Sequence, residues 1–300
     1  MLMLMKTTIE TRLIEANGLS FEVDTCGGGD RFALLLHGFP ESSYSWRYQL
    51  PLLARLGYTA WAPNLRGYGG SSRPARVADY ALPHLLADVA GLIDAAGARE
   101  TLLVGHDWGG AIAWSFALAQ QRPLDGLIVM NLPHPLRFIQ GLKRWPQMKR
   151  SWYIYFFQLP LLPELLLGAG HARAIGRAIA GSAANREHLS REVLQVYRDQ
   201  ASQPGALRAM INYYRALVRF RGFEHVRAHL REPLATPTLM LWGEQDHALG
   251  KELTLGTDEL VEDLTLRYLP AAAHWVQQEA PETVNAMIEA WLGGGPVPVV

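Results

Sequence analysis

Short, unbroken apolar runs alternate along this chain with longer amphipathic stretches, and few folds accept that rhythm. Phe32-Ala33-Leu34-Leu35-Leu36 is apolar without interruption, the pattern of a strand buried on both faces. Thr59-Ala60-Trp61-Ala62-Pro63, Thr101-Leu102-Leu103-Val104 and Leu127-Ile128-Val129-Met130 repeat it. Between them, helical periodicity covers residues 46–56, 82–96 and 109–121. Strands alternating with helices of these lengths predict an α/β fold with a mostly parallel, doubly wound sheet. Upstream, two strand-like stretches within residues 8–25 flank Asn17-Gly18 and predict a hairpin.

After Pro133 the rhythm stops. Residues 136–230 show only helical patterns, around 152–167, 172–180, 190–200 and 205–220. A strand pattern resumes at Thr238-Leu239-Met240-Leu241-Trp242, another follows at 264–269, and residues 281–292 close as a helix. The expected division is a core over 1–135, an inserted helical cap over 136–230, the rest of the core over 231–292, and a disordered tail over 293–300 outside the fold. An all-helical insertion reads as a cap over the C-terminal edge of the sheet, where open α/β sheets bind ligands.

Composition narrows the function. The chain has 300 residues, of which 49% are hydrophobic, enough for a large core with an insertion. Lysine plus arginine equals aspartate plus glutamate at 28 each, which argues against a nucleic-acid binder. The single cysteine, Cys26, rules out an intramolecular disulfide and suits a reducing compartment. No apolar run reaches the roughly 18 residues needed to cross a bilayer; the stretch at 159–167 contains two prolines and Glu164. Met1 to Lys6 is apolar but too short for a signal peptide and has no basic region ahead of it. The expectation is a cytoplasmic protein without a membrane span, monomeric or homodimeric.

The chemistry gathers at strand ends. Gly105-His106-Asp107-Trp108-Gly109-Gly110 follows a buried strand and opens a helix, the setting of an elbow that presents a nucleophile. Glycines allow the sharp turn, and the helix dipole and free amides suit an ionised carboxylate. A plain helix-capping aspartate would not require glycines on both sides. His37-Gly38-Phe39-Pro40 ends an earlier strand, so the backbone amides of Phe39 and Trp108 are candidates for an oxyanion hole. Asp246, in Trp242-Gly243-Glu244-Gln245-Asp246, and His274 follow in the order nucleophile, acid, histidine. Glu244 competes with Asp246; the shorter side chain later in the loop is preferred. Among the 10 histidines, His274 is chosen for its place in that order, the other nine being read as surface, cap or loop residues. The side chain of His106, the nearest rival, should point away from the site.

These motifs, in order, resemble the epoxide hydrolases of the α/β-hydrolase superfamily over about residues 14–291. Arg66-Gly67-Tyr68-Gly69-Gly70-Ser71 is similar to that family's Arg-Gly-Tyr-Gly loop, and Asn131-Leu132-Pro133-His134-Pro135 to its lead into the cap. His274-Trp275-Val276-Gln277-Gln278-Glu279 is similar to its histidine loop. The resemblance implies an α/β-hydrolase fold and two cap tyrosines that hydrogen-bond the epoxide oxygen. By position these are Tyr153, in Trp152-Tyr153-Ile154-Tyr155, and Tyr214, in Asn212-Tyr213-Tyr214-Arg215, with Tyr155 and Tyr213 as decoys. Phe39, Trp108 and Phe157 join Tyr153 and Tyr214 as expected substrate-binding residues.

The implied reaction needs no metal and no organic cofactor. An epoxide carbon is saturated and opens by displacement, which a carboxylate performs without first losing a proton at neutral pH. His274, oriented by Asp246, would then activate water to hydrolyse the Asp107 ester. The expected substrate is a small apolar epoxide. A dehalogenase is the alternative, but haloalkane dehalogenases usually have asparagine at the position of Phe39, and fluoroacetate dehalogenases arginine at the position of Trp108. A ligand receptor on a hydrolase scaffold would have no use for a full triad, and a serine esterase would need a serine at the elbow.

Overall fold

The computed structural model describes residues 7–300. The opening stretch considered as a signal peptide, Met1 to Lys6, lies outside the described residues. The first half of the sheet comprises β1 (Glu10–Ala16), β2 (Leu19–Gly27), β3 (Arg31–Leu36), β4 (Tyr58–Pro63), β5 (Thr101–His106) and β6 (Leu124–Met130). Helices α1 (Gln49–Arg55), α2 (Leu82–Ala96) and α3 (Trp108–Leu118) connect β3 to β6. Asn17 (φ 49°) and Gly18 (φ 70°) both sit at positive φ, as a tight hairpin turn between β1 and β2 demands.

Six helices follow before the next strand: α4 (Pro135–Gly141), α5 (Trp145–Arg150), α6 (Trp152–Phe156), α7 (Leu162–Ser182), α8 (Arg191–Ala201) and α9 (Ala206–Arg219). A 3-10 segment over Gly222–His229 leads back to the sheet. β7 (Thr238–Gly243), β8 (Leu264–Leu269), α10 (Val276–Glu279) and α11 (Pro281–Leu292) complete the chain. The single helix expected over 152–167 is two: α6 stops at Phe156 and α7 starts at Leu162, because Pro160 cannot continue a helix. None of the helices among the described residues is long and apolar enough to cross a membrane.

The eight strands run in the order β1-β2-β4-β3-β5-β6-β7-β8, and only the β1–β2 and β2–β4 pairings are antiparallel. The chain therefore leaves β3 toward β4 on one side and returns to β5 on the other. That reversal makes the C-terminal ends of β3 and β5 a topological switch point, the usual crevice for a ligand. The unbroken apolar runs are explained by two buried layers. Leu34, Leu36, Leu103 and Val129 face one, and Ala33, Leu35, Leu102 and Ile128 face the other. The first layer continues without a break into the inserted helices through Ile175, Ile179, Met210 and Tyr213.

The tail does not stand clear of the fold. Val297 is buried in the second layer, and the Arg267 guanidinium donates to its carbonyl at 3.1 Å. Composition alone suggested a free end; Val297 and its carbonyl are instead held against the core beside β8.

Candidate active site

Four strand ends meet at the switch point. β3 leads to Gly38 and Phe39, β5 to Asp107, β7 to Asp246 and β8 to His274. Asp107 occupies φ 48°, ψ −118°, a strained conformation for a residue with a side chain, and α3 begins immediately after it. The strain is enforced by close packing of backbone. A Cβ on Gly109 would come within 2.0 Å of the Leu36 carbonyl, and one on Gly38 within 2.7 Å of Asp107 Oδ1. Strand β3, helix α3 and the aspartate can be this close only with glycine at both places.

The Phe39 amide donates to Asp107 Oδ1 at 2.7 Å. The other carboxylate oxygen, Oδ2, faces His274 Nε2 at 3.6 Å. His274 Nδ1 lies 2.7 Å from Asp246 Oδ2. Asp246 is fixed in turn: Oδ1 accepts the amides of Ala248 and Leu249 at 2.7 and 2.9 Å, and Oδ2 accepts Asn131 Nδ2 at 2.8 Å. Glu244, the competing acid, points elsewhere and pairs with Lys251.

Burial alone would raise both carboxyls. The hydrogen bond and charge of His274 outweigh it, so Asp107 and Asp246 lie below the usual carboxylate range. Burial alone would lower His274; the Asp246 charge and the hydrogen bonds to both carboxylates hold it well above an ordinary histidine instead. In the resting site, His274 is a protonated ring between two anions.

Tyr153 on α6 and Tyr214 on α9 reach the same cavity as Asp107 and Trp108. Their rings meet edge to face at 5.7 Å, and Tyr214 also packs against Trp108 at 5.1 Å. The Tyr153 ring is half-buried, but its hydroxyl end is enclosed by protein. Burial, then the nearby Asp107 charge, raises both phenols far above an ordinary tyrosine, so they stay protonated. The rest of the wall is apolar, with Leu132, Ile154, Leu217 and Leu249, and the free space is about 40 Å³.

Two expected substrate contacts stand a layer back. Phe39 and Phe157 do not line the cavity; both pack edge to face on Tyr214, at 5.2 and 4.9 Å. Phe157 lies one helical turn beyond Tyr153 and so falls behind it. The decoys part from the site as well. Tyr155 is 59% exposed, and the Tyr213 hydroxyl donates to the Arg66 carbonyl at 2.8 Å.

The sequence reading missed a buried polar group beneath the site. His106 does turn away from Asp107, yet it is not a loop or surface residue: like His37 and His134 it is fully buried. Its Nδ1 lies 2.7 Å from Glu41 Oε2 and its Nε2 2.8 Å from the His274 carbonyl. Burial would raise Glu41, but the His106 charge and hydrogen bond keep it ionised. The Glu41 carboxylate and the His274 carbonyl hold the His106 ring between them. Gln277 and Gln278 complete the shell on Glu41 Oε1, at 2.9 and 2.7 Å. Asn131 was missed too. A polar residue directly after an apolar strand was the available signal for it.

The chain is similar to known proteins in sequence and in fold. A sequence profile described as the alpha/beta hydrolase fold matches residues 34–281. Epoxide hydrolase 3 of Xenopus tropicalis is 40% identical over 265 residues, which span 86% of this chain and 70% of that protein. Epoxide hydrolase 4 of Homo sapiens is 38% identical, with 93% of this chain and 77% of that one covered. Epoxide hydrolase A from Mycobacterium thermoresistibile superposes with a TM-score of 0.85 at 29% identity, covering 97% of this chain and all of the other (100%). An inhibitor complex of the Bacillus megaterium epoxide hydrolase gives 0.84 at 28% identity over 94% of this chain and 100% of that one. With an aspartate at the elbow and these relatives along nearly its whole length, the chain belongs to the epoxide hydrolases of the α/β-hydrolase fold.

Proposed function

We infer that the protein hydrolyses small apolar epoxides to vicinal diols through an ester formed on Asp107. One observation carries this reading: an ionised carboxylate and two protonated phenols share one apolar cavity, with His274 3.6 Å behind the carboxylate. Asp107 Oδ2 attacks an oxirane carbon, and the carbon–oxygen bond on that carbon breaks. The departing alkoxide is strongly basic and takes a proton from the Tyr153 and Tyr214 pair. A phenol regains its proton from solvent.

Ester formation removes the Asp107 charge. His274 then faces Asp246 alone, releases its extra proton to solvent and becomes a base. It takes a proton from water, and the hydroxide adds to Cγ of Asp107. The negative charge develops on Oδ1, which already accepts the Phe39 amide; the Trp108 amide, at the start of α3, is the second donor. Collapse expels the diol together with Oδ2, and the protonated His274 supplies its second hydroxyl proton. The new Asp107 carboxyl returns its proton to His274, and the resting site is restored.

A single turnover in heavy-oxygen water tests this directly. The label is expected in the Asp107 carboxyl and not in the diol. Label in the diol on the first turnover would mean that water attacks the epoxide itself. A parallel screen of haloalkanes for released halide tests the dehalogenase alternative, for which two proton-donating phenols have no use.

A further inference from the structure

To act as a base, His274 has to present Nε2 to water beside the Asp107 ester while Nδ1 stays 2.7 Å from Asp246 Oδ2. The place of that ring is set by the peptide groups on either side of it. The peptide joining His274 to Trp275 is gripped at both ends. Its carbonyl lies 2.8 Å from His106 Nε2, and its N–H donates to Glu279 Oε1 at 3.0 Å. The amide of Ala273, on the other side of His274, donates to Glu279 Oε2 at 3.2 Å. One carboxylate therefore brackets the histidine through both of its neighbours.

The same oxygen, Oε2, also accepts the amides of Ala184 and Asn185 at 2.7 and 3.0 Å. These residues follow the end of α7, among the inserted helices. The Trp275 indole strengthens the link, donating to the Ile179 carbonyl at 3.1 Å and to Ser182 Oγ at 2.8 Å, and Asn185 Nδ2 donates to the Glu279 carbonyl at 3.2 Å. Glu279 is 1% exposed, and among the described residues no cation pairs with it. Burying a carboxylate without a cation is costly unless N–H donors replace the lost water. Backbone amides do so here, and a hydrogen bond to an ionised acceptor is a strong one. Glutamine would not serve, because its NH2 group would face amides that are themselves donors. We propose that Glu279 is a positioning residue for ester hydrolysis, and that it makes the placement of His274 depend on the docking of the inserted helices.

The inference rests on the Asp107-ester reading above and adds to it a residue that touches neither the substrate nor a reacting atom. No covalent step changes. A misplacement of about 1 Å at a reacting group can cost on the order of 10² in rate. Proton abstraction from water by His274 Nε2 is open to such a shift. Ester formation belongs to Asp107, Tyr153 and Tyr214 and is not. A carboxylate that served stability alone would lower the melting temperature without changing the ratio of the two steps.

The experiment follows formation and loss of the Asp107 ester separately, by rapid-quench single turnovers of styrene oxide. Wild type is measured beside Glu279→Gln and the double variant Ser182→Ala, Asn185→Ala. In Glu279→Gln, ester hydrolysis is expected to slow by roughly 10- to 100-fold, with ester formation nearly unchanged. Because ester formation precedes the slowed step, kcat and KM then fall together and kcat/KM holds. The double variant keeps the carboxylate and removes the side-chain bonds from Ser182 and Asn185 beside it. The same step should slow there by roughly threefold to tenfold, the worth of one or two weakened hydrogen bonds. Both of its positions are half-buried, so it decides the matter if Glu279→Gln does not fold. Equal slowing of both steps in folded Glu279→Gln, or hydrolysis at the wild-type rate in either variant, overturns the proposal. If wild type forms no ester at all, the reading of the reaction fails before any variant is compared.

Discussion

In the resting protein His274 stands between two carboxylates, with Asp246 Oδ2 at 2.7 Å and Asp107 Oδ2 at 3.6 Å. Both hold its proton, and only the ester relieves it of one. The two chemical steps therefore differ in pH dependence. Ester formation needs ionised Asp107, which lies below the usual carboxylate range, so its rate should be flat from mildly acid to neutral pH. Ester hydrolysis needs neutral His274 and should slow toward acid. Rapid-quench single turnovers separate the steps, and a common pH profile for both would refute the assignment. His274→Gln should still form the ester but hydrolyse it roughly 10²–10⁴ more slowly. Intact-protein mass spectrometry should then show protein plus substrate. These residues were legible in the sequence because chain order and strand ends fix them. Asn131 and the Glu41–His106 pair were not, since their partners lie 115 and 65 residues away and only the folded sheet brings them together.

At the scale of elements, the two tyrosines depend on how α6 and α9 are joined. The Arg215 guanidinium, on α9, donates to the carbonyls of Phe157 and Leu159 at 3.0 and 2.7 Å and pairs with Glu164 at 2.6 Å. Gln158 donates back to the Tyr214 carbonyl at 3.0 Å. Tyr213 anchors the same helix to the loop after β4 through the Arg66 carbonyl, and Arg66 is itself held by buried Asp88. Four Tyr→Phe variants should therefore fall into three grades. Tyr153→Phe and Tyr214→Phe should each slow ester formation, and the double variant should be far worse, because one phenol covers part of the loss of the other. Tyr213→Phe should lower stability by about 1 kcal/mol and slow ester formation only slightly, since it removes one anchoring hydrogen bond. Tyr155→Phe should change neither. Single-turnover rates and melting temperatures measure all four; a Tyr155 effect equal to that of Tyr153 would mean that the cap residues are misassigned. The strands were read correctly because burial on two faces leaves a strong apolar signal. Helix bounds in the insertion were read less well, as with α6 and α7, because prolines and exposed leucines blur its period.

Across the whole molecule, the apolar pattern predicted a sheet buried on both faces, but not that one of its layers would continue into the inserted helices. That continuity places several titratable groups in the interior, and their opposed shifts set the pH of greatest stability. Burial pushes His37 and His134 down to about 4, and their ring nitrogens accept the amides of Leu65 and Leu136. Below roughly pH 6.5 the unfolded chain takes up protons on both. The native protein refuses them until about pH 4, so stability is lost as pH falls through that range. Each contributes up to about 3 kcal/mol of this loss. Below roughly pH 4, protonation of Asp107, Asp246 and Glu41 in the unfolded chain adds to it, since their native values are depressed. His274 acts in the other direction. Its native value is raised, so its contribution is full below roughly pH 6.5 and is lost as pH rises through the native value. The melting temperature should therefore peak near neutrality and fall on both sides. Two variants separate the limbs. His134→Asn keeps an acceptor for the Leu136 amide at the start of α4 but cannot titrate, so it should flatten the acid limb. His274→Gln should flatten the alkaline limb and leave the acid limb partly in place, through His37 and His134. If melting curves of wild type and His274→Gln run parallel above pH 7, His274 does not hold its proton in the native protein, and the delayed release of that proton on ester formation falls with it.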